Sequence, residues 1–386
     1  MAAIRVDRLL HQYVDRGKAV TAVNNVSFEV EENQFYTLLG PSGCGKTTTL
    51  RCIAGLETPV GGTIELGGTV VVSDRGIVPT HRRDIGMVFQ DYAVWPHMSV
   101  FDNVAFPLKV GKRLSSSVVK DRVHEALALV NMEQYVDRRA TQLSGGQQQR
   151  LSLARALVRQ PKVLLLDEPL SNLDAKLREQ MRKELRLIQR RIKVTTIFVT
   201  HDQVEALSMS NRIAVMNHGV IVQEGGPRDI YLTPNSEFVA AFIGATNFIH
   251  GTVTSQGPVV GDYTVDSTVG PLVVRSEQEL TVGAPVTIAV RPESLTLSSD
   301  PVPGMNSVEA QVDIGLFVGE SVDYHLEMGG LLMRAKGSAR SRFRRHDKVF
   351  VGIPPEDCTV IAEDGATSSR AVDHIEGEAD SVGQTV

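Results

Sequence analysis

Residues 40–47 constrain the fold of this chain more than any other segment. They read Gly-Pro-Ser-Gly-Cys-Gly-Lys-Thr and follow Phe35–Leu39, an apolar run too short for a helix. A glycine-rich loop between a strand and a helix is typical of phosphate binding, because its N–H groups turn inward and the helix N-terminus adds positive charge. In this pattern Lys46 reaches the β- and γ-phosphates and Thr47 ligates Mg²⁺. The loop alone leaves an ordinary glycine-rich turn as the alternative.

The loop and its first helical residues are the expected nucleotide contacts. They are Gly40, Pro41, Ser42, Gly43, Cys44, Gly45, Lys46, Thr47 and Thr48. We interpret Cys44 as a spacer in the loop and not as a nucleophile. The chain has 3 cysteines, without a C-x-x-C pair or metal-binding spacing, which fits a reducing compartment.

A second apolar run, residues 163–166, ends in two acids, Asp167 and Glu168. Continuous apolar residues are typical of a parallel strand that is covered on both faces, and such sheets place ligand chemistry beyond the carboxyl ends of their strands. Asp167 therefore fits a Mg²⁺ ligand, and Glu168 fits the general base that takes a proton from an attacking water. Two incidental acids at a solvated strand end are the alternative.

Residues 143–147 read Leu-Ser-Gly-Gly-Gln, a sequence that is rare by chance. The following residues carry leucine and alanine at helical spacing, so the serine and glycines stand at a helix N-terminus, a natural anion site. A serine-capped helix after a glycine turn is the local alternative. The candidate binding residues here are Ser144, Gly145, Gly146 and Gln147.

Together these motifs resemble the ATP-binding subunit of an ABC transporter, over roughly residues 4–243. The resemblance implies that the helix after residues 143–147 belongs to a separate helical subdomain and faces the ATP of a second copy. Two copies would then enclose two nucleotides. It also implies four further roles: Tyr13 stacks on adenine, Gln90 contacts Mg²⁺ and senses the membrane partner, Asp174 lies at the dimer interface, and His201 contacts the γ-phosphate and steadies the attacking water.

Each of those four residues is weak support alone, because a lone tyrosine, glutamine or histidine is more often a packing, capping or surface group. Their order with the other motifs makes the argument: aromatic, phosphate loop, glutamine, signature, two acids, aspartate, histidine. We therefore expect ATP and Mg²⁺ as ligands. The expected catalytic residues are Lys46, Glu168 and His201, and the expected metal ligands are Thr47, Gln90 and Asp167.

The predicted fold class is α/β, a P-loop nucleoside triphosphatase with a helical subdomain, followed by a small all-β, barrel-like domain. Strands and helices alternate to about residue 240, whereas short strands separated by glycine and proline follow from about Thr246. We predict an ATPase domain at residues 1–243 with its helical subdomain at about 91–158. A β-rich accessory domain is predicted at 244–362 and a disordered acidic tail at 363–386.

The β-rich segment resembles the oligonucleotide-fold accessory domain of one importer subgroup, through Arg291-Pro292-Glu293 and Gly319-Glu320. Strands are predicted at residues 272–274, 286–290, 308–314, 331–333 and 349–353. A structural dimerisation or regulatory appendage without a ligand is favoured over a sensor site.

The partners follow from charge, hydropathy and the resemblance. A net charge of −5 with interspersed signs predicts no nucleic-acid partner. The sequence has no long apolar run, so the pore is expected from other chains. The resemblance implies a homodimer, two permease subunits whose coupling helices dock near residues 90–95, and an extracytoplasmic solute-binding protein that acts indirectly. The implied location is the cytoplasmic face of the inner membrane, as a peripheral protein.

Residues 91–100 and 171–178 are similar to bacterial importers of the sugar, iron and polyamine group. Tyr92, Val94 and Trp95 would be apolar contacts for the permease helix, with a buried core position as the alternative. Residues 242–248 resemble the iron and polyamine branch more than the sugar branch, and this resemblance implies an iron(III) or polyamine-like solute, with a sugar or glycerol phosphate as the alternative. A soluble ABC ATPase outside transport and a P-loop kinase are the remaining alternatives, although a kinase would leave the signature and His201 without a role.

Overall fold

The computed structural model describes residues 2–15, 17–110 and 114–362. The chain divides into two compact units, Met1–Arg228 and Asp229–Val386. The predicted tail at residues 363–386 lies outside the described residues, and the predicted domain limits remain predictions. No helix in the described ranges is long and apolar enough to cross a membrane.

Two sheets form the first unit. Its strands are β1 (Ala2–Asp15), β2 (Lys18–Glu31), β3 (Phe35–Leu39), β4 (Gly61–Leu66), β5 (Thr69–Ser73), β6 (Gly76–Ile77), β7 (Ile85–Val88), β8 (Val163–Asp167), β9 (Thr195–Thr200), β10 (Arg212–Asn217) and β11 (Val220–Gly225). The first sheet is antiparallel with the order β2-β1-β4-β5-β6. The second has the order β11-β10-β3-β9-β8-β7, and β10, β3, β9, β8 and β7 run parallel.

The described residues form eight α-helices, two of which follow the phosphate loop and residues 143–147 as the sequence predicts. They are α1 (Lys46–Ala54), α2 (Val100–Lys109), α3 (Ser116–Leu129), α4 (Gly145–Leu157), α5 (Ala175–Ile192), α6 (Gln203–Met209), α7 (Pro227–Leu232) and α8 (Glu237–Phe242). Helix α5 is strongly charged, and it buries Met181 and Leu185 one turn apart, whereas most of its other side chains are polar.

The parallel sheet is buried on both faces, because every residue of β3, β8 and β9 is buried. Alternate side chains enter two different cores: Leu164 and Leu166 pack with α2 to α5, whereas Val163 and Leu165 pack with α1 and the antiparallel sheet. The strand order β3-β9-β8 sets three loops side by side at the carboxyl edge. These loops follow Leu39, Asp167 and Thr200.

The second unit adds two five-stranded antiparallel sheets to helix α8. Its strands are β12 (Asn247–Gln256), β13 (Asp262–Ser267), β14 (Gly270–Arg275), β15 (Pro285–Val290), β16 (Thr296–Ser298), β17 (Asn306–Phe317), β18 (Ser321–Met328), β19 (Leu331–Ser338), β20 (Lys348–Ile353) and β21 (Thr359–Ala362). The sheet orders are β14-β13-β12-β15-β21 and β16-β20-β17-β18-β19.

Both sheets of the second unit share one core, to which β12, β15, β18 and β20 all contribute. The five strands predicted from the sequence are present, and each extends beyond its predicted range. The sequence analysis missed five others, namely β12, β13, β16, β18 and β21. The predicted fold class, an α/β P-loop domain followed by an all-β domain, is confirmed.

Candidate active site

Residues 40–47 form the loop between β3 and α1. Gly45 has a φ of +102°, and a Cβ at this position would lie 2.3 Å from the carbonyl oxygen of Ala22, so only glycine fits. Cys44 is buried, and burial raises the pKa of its thiol, which agrees with a packing role. Ser42 and Gly43 are exposed, so the outer part of the loop is open to a ligand.

Lys46, the first residue of α1, is only 4% exposed. Its Nζ donates hydrogen bonds to the carbonyl oxygens of Gly40 at 2.7 Å and Pro41 at 2.8 Å. A buried ammonium needs such partners, and it has three donors in all. The third donor faces the weak sulfur acceptor of Cys44, with Nζ and Sγ 3.8 Å apart. Lys46 is therefore held against the loop, and only this weak contact has to be given up for a phosphate oxygen.

Thr47 and Asp167 bring two oxygen groups together at the edge of the sheet. The Thr47 hydroxyl donates to Asp167 Oδ1 at 2.9 Å, and Asp167 is 4% exposed. Burial raises the pKa of Asp167, while the Thr47 hydrogen bond acts in the opposite direction. A hydroxyl beside a carboxylate is a donor set that fits Mg²⁺, which combines one or two carboxylates with substrate phosphates. Within the described residues, no group of three or more His, Cys, Asp or Glu side chains could hold a metal ion.

Glu168 and His201 form a pair at the ends of the neighbouring strands β8 and β9. His201 Nδ1 lies 3.1 Å from Glu168 Oε2. Glu168 has a φ of +42°, a left-handed conformation that costs a non-glycine residue about 1 kcal/mol. Its N–H donates to the Val199 carbonyl at 3.1 Å, which ties the strained turn to β9. The His201 side chain is 54% exposed, so the pair is accessible to water.

Tyr13 lies on β1, close to the first turn of α1. Its hydroxyl is 3.3 Å from Thr48 Oγ1, and the residue is 39% exposed. The ring of His11 packs edge-on against it with centroids 4.6 Å apart. The tyrosine is thus supported on one side and open on another, as a platform for a planar base requires.

Residues 171–174 connect several parts of the site. Asn172 Nδ2 donates to the main-chain carbonyl of Gln90 at 3.1 Å, and the Ser171 hydroxyl donates to the Glu168 carbonyl at 3.0 Å. The Gln90 side chain is exposed. The Asp174 side chain caps α5, since its Oδ1 accepts from the Leu177 N–H at 3.0 Å.

The signature residues 144–147 stand apart from these groups. Ser144 is the N-cap of α4, and its N–H donates to Gln147 Oε1 at 3.0 Å. Ser144 and Gly145 are exposed, whereas Gly146 is buried close to Leu177. In the part of the chain that the structure describes, no hydrogen bond or ion pair joins residues 144–147 to residues 40–47. The predicted site residues therefore form two separate groups.

The segment after Gln90 only partly matches its prediction. Tyr92 is 8% exposed and belongs to the core, so its predicted role as a contact for a permease helix is wrong and the buried alternative holds. Val94 and Trp95 are half-buried. Arg155 of α4 donates to the carbonyl oxygens of Tyr92 at 3.0 Å and Ala93 at 2.6 Å, and its guanidinium lies 4.7 Å from the Trp95 ring centre.

A groove of about 380 Å³ opens beside Trp95. Apolar side chains from β7, α2 and the intervening segment line it, with Arg159 at its wall: Met87, Phe89, Trp95, Phe106 and Val110. The sequence pointed to this segment but did not reveal the groove. The sequence analysis also gave no role to Arg178. The available signal was its position on α5, one turn after the N-cap Asp174.

Comparison with known proteins agrees with this geometry. The family model described as ABC transporter matches residues 23–171, and the one described as TOBE domain matches residues 288–361. The chain is 47% identical over 342 residues to the trehalose/maltose import ATP-binding protein MalK of Thermococcus litoralis, covering 86% of this chain and 91% of that protein. It is 41% identical over 371 residues to the spermidine/putrescine import ATP-binding protein PotA 1 of Pseudomonas aeruginosa, covering 94% and 97%.

A solved dimeric structure of the bacterial ABC transporter cassette MJ0796 superposes with a TM-score of 0.52 and 30% identity, covering 58% of this chain and 99% of that one. A second structure of the same cassette is a dimer in a post-hydrolysis state, bound to ADP and Pi, with the same TM-score of 0.52. The chain belongs to the ABC transporter family. Within that family it is an ATP-binding, ATP-hydrolysing subunit of an importer, and the P-loop kinase alternative is excluded.

Proposed function

We propose that two copies of this chain enclose two ATP molecules with Mg²⁺ and hydrolyse them to drive solute uptake through separate permease subunits. The observation that carries the proposal is the Glu168–His201 pair, which directly follows strands β8 and β9, next to the Thr47–Asp167 pair at the end of β8. A base, an orienting imidazole and a magnesium-binding oxygen pair are the groups that phosphoryl transfer to water needs.

The residues divide the chemistry among them. Lys46 and the N–H groups of residues 40–47 bind the phosphates, and Tyr13 stacks on adenine. Thr47 and Asp167, with Gln90, would hold Mg²⁺, which would supply neutralising charge for the phosphates.

Glu168 accepts a proton from a water whose oxygen bonds to the γ-phosphorus. The bond from that phosphorus to the bridging oxygen breaks, which yields ADP and inorganic phosphate. His201 directs Nδ1 at Glu168, so its Nε2 is left to contact the γ-phosphate and hold the water in line.

The exposed signature residues support the dimer. Ser144 and Gly145 present a helix N-terminus to solvent without a partner in the phosphate loop of the same chain. In a dimer this end of α4 would face the γ-phosphate bound by the other copy, because a helix N-terminus favours negative charge. The MJ0796 cassette, which is similar to this chain, is also dimeric, and Asp174 would lie near the proposed interface.

The Glu168→Gln variant tests the chemistry. Loss of the base should lower kcat by about 10²- to 10⁴-fold while the Kd for ATP stays within about two-fold, because binding and proton transfer use different groups. Steady-state ATPase assays and equilibrium nucleotide binding measure the two quantities. The matched control is Glu179→Gln, an exposed acid on α5. Hydrolysis at the parent rate by Glu168→Gln would show that the base is assigned wrongly.

The groove beside Trp95 is the proposed docking site for a helix of the permease. Its apolar lining offers burial for a helix face, and Arg155 links the Trp95 segment directly to the signature helix. Binding there would place the chain peripherally at the cytoplasmic face of the membrane. A solute-binding protein would act indirectly, through the permeases.

Trp95→Ala should uncouple the two activities. In the reconstituted complex we expect solute transport and permease-stimulated ATPase to fall about ten-fold or more, while basal ATPase of the chain alone is retained. Leu187→Ala, which removes a 65% exposed side chain from α5, is the control. Unchanged transport by Trp95→Ala would rule out this docking site.

The proposed solute is a polyamine, in line with the spermidine/putrescine import relatives, and a sugar is the second candidate because the trehalose/maltose relative is 47% identical. Uptake of labelled spermidine, maltose and iron(III) by cells with and without this chain separates them. Loss of spermidine uptake alone is the expected result. Loss of maltose uptake alone would assign the sugar branch instead.

A further inference from the structure

Arg178 joins two loops of the candidate active site. Its Nη2 donates to the carbonyl oxygen of Leu173 at 3.0 Å, with a longer contact of 3.5 Å to that of Ser171. Its Nη1 forms an ion pair with Asp202 Oδ2 at 3.6 Å. One guanidinium therefore contacts both the backbone of residues 171–174 and the residue that follows His201.

The residues on either side of His201 are held firmly. Asp202 caps α6, because its Oδ1 accepts from the Glu205 N–H at 3.0 Å, and its own N–H donates to Thr200 Oγ1 at 3.0 Å. The Thr200 hydroxyl donates to Glu205 Oε2 at 2.6 Å, and Glu205 is 3% exposed. Displacement of Asp202 would thus move the backbone that carries His201.

The other loop contacts the remaining parts of the site. Ser171 binds the carbonyl of Glu168 and Asn172 binds that of Gln90. Asp174 is exposed at the start of α5, where Arg178 sits one turn later. Any change in residues 171–174 therefore has two routes to the Glu168–His201 pair: Ser171 on one side and Arg178 with Asp202 on the other.

We propose that Arg178 is a positioning residue that ties residues 171–174 to the His201 loop and keeps the imidazole aligned with Glu168. This inference rests on the role of His201 in the proposed function. The planar fork of arginine suits the position, because its two terminal nitrogens reach a carbonyl and a carboxylate at once, and a lysine ammonium cannot keep both contacts in that geometry.

Steady-state ATPase kinetics of the full chain test this link. Arg178→Gln should lower kcat by about 10- to 100-fold with the KM for ATP within about two-fold, because a misplaced orienting group affects turnover and not binding. Arg178→Lys should recover part of that loss, since the charge opposite Asp202 remains. Arg190→Gln, an exposed arginine on the same helix, is the matched control and should behave as the parent.

The decisive comparison places Arg178→Gln in a His201→Ala background. If Arg178 acts through His201, the double variant is no slower than His201→Ala alone. The inference would be overturned if Arg178→Gln lowered kcat by the same factor in the His201→Ala background as in the parent, or if it changed KM alone. Should Arg178→Gln fail to fold, Asp202→Asn decides, because asparagine keeps the cap of α6 but removes the ion pair; parent-like turnover of Asp202→Asn would likewise overturn it.

The same measurements separate this inference from the proposed function. If His201→Ala is slow and Arg178→Gln matches the parent, the positioning role of Arg178 is wrong and the proposed chemistry stands. If His201→Ala itself turns over at the parent rate, the role of His201 is wrong and the link through Arg178 is overturned with it.

Discussion

The phosphate loop and the signature segment are both anion-binding sites by sequence, but the structure completes them to different degrees. Lys46 and Asp167 are 4% exposed and make hydrogen bonds to neighbouring parts of their own site. Ser144 and Gly145 are exposed, and the signature hydrogen bond at Ser144 stays within its own helix. The phosphate loop makes its contacts within one chain, whereas among the described residues the helix end at Ser144 makes no hydrogen bond to that loop.

This difference explains how ATP hydrolysis can depend on the association of two copies. A buried, interlinked phosphate loop can hold ATP in one copy, whereas the helix dipole at Ser144 gains its anion only when a second copy approaches. Nucleotide binding should therefore depend on the first region and turnover on both.

The largest expected effect comes from disrupting the phosphate loop. In Gly45→Ala the new Cβ would lie 2.3 Å from the Ala22 carbonyl oxygen at a φ of +102°, so the loop must move and ATP binding should be lost. Gly43→Ala is the control: its φ is +80° but its Cβ would meet nothing within 4 Å, so it should cost only about 1 kcal/mol. Nucleotide binding and thermal denaturation distinguish them. Tight ATP binding by Gly45→Ala would contradict the claim that only glycine fits at this position of the loop.

A smaller effect on stability, with a large one on turnover, is expected at the signature. Ser144→Asp keeps a good N-cap, so the stability should stay within about 1 kcal/mol of the parent. Its negative charge should repel the γ-phosphate and lower kcat about 100-fold, while each chain still binds ATP. Ser144→Asn, similar in size and neutral, should retain more of the activity. Equal kcat for the two variants would remove charge from the explanation.

The smallest effect is a pH-dependent one at Asp167. Burial raises the pKa of Asp167, so the folded chain binds that proton more tightly than the unfolded chain. Its contribution to stability is therefore present at low pH and lost as the pH rises through the folded pKa. Asp167→Asn should melt at a higher temperature than the parent at pH 7.5, and the gap should narrow towards pH 4. Asp121→Asn, an exposed position on α3, should show no such trend.

The parts of the site that were predictable are those encoded by neighbouring residues. The strand–loop–helix around Lys46, the acids that end β8 and the capped helix at Ser144 each depend on one short segment. The fold class followed from the same local patterns. The resemblance already placed Thr47 with Asp167 at one metal ion and Glu168 with His201 at one water. The direct hydrogen bonds within these pairs, and the ion pair between Arg178 and Asp202, were not predictable, because they depend on the strand order.

Two errors have local physical causes. Tyr92 and Ala93 both adopt positive φ, at 57° and 47°, an uncommon turn that residue spacing does not reveal, and Tyr92 packs in the core. Strand β18 was missed although Val322, Tyr324 and Leu326 alternate with polar residues and face the core. That alternation was the available sequence signal for a strand.

The central claim, that the signature of one copy completes the phosphate loop of the other, is tested most directly by a cross-link. Ser42 and Ser144 are exposed, whereas the three native cysteines are buried and free. The test combines Ser42→Cys and Ser144→Cys in a Glu168→Gln background, so that the two new cysteines are the exposed thiols available for a disulfide. With ATP and Mg²⁺, oxidation should give a disulfide between chains, seen as a dimer on a non-reducing gel, and far less without nucleotide. A disulfide formed only within one chain, or none with ATP bound, would contradict the account.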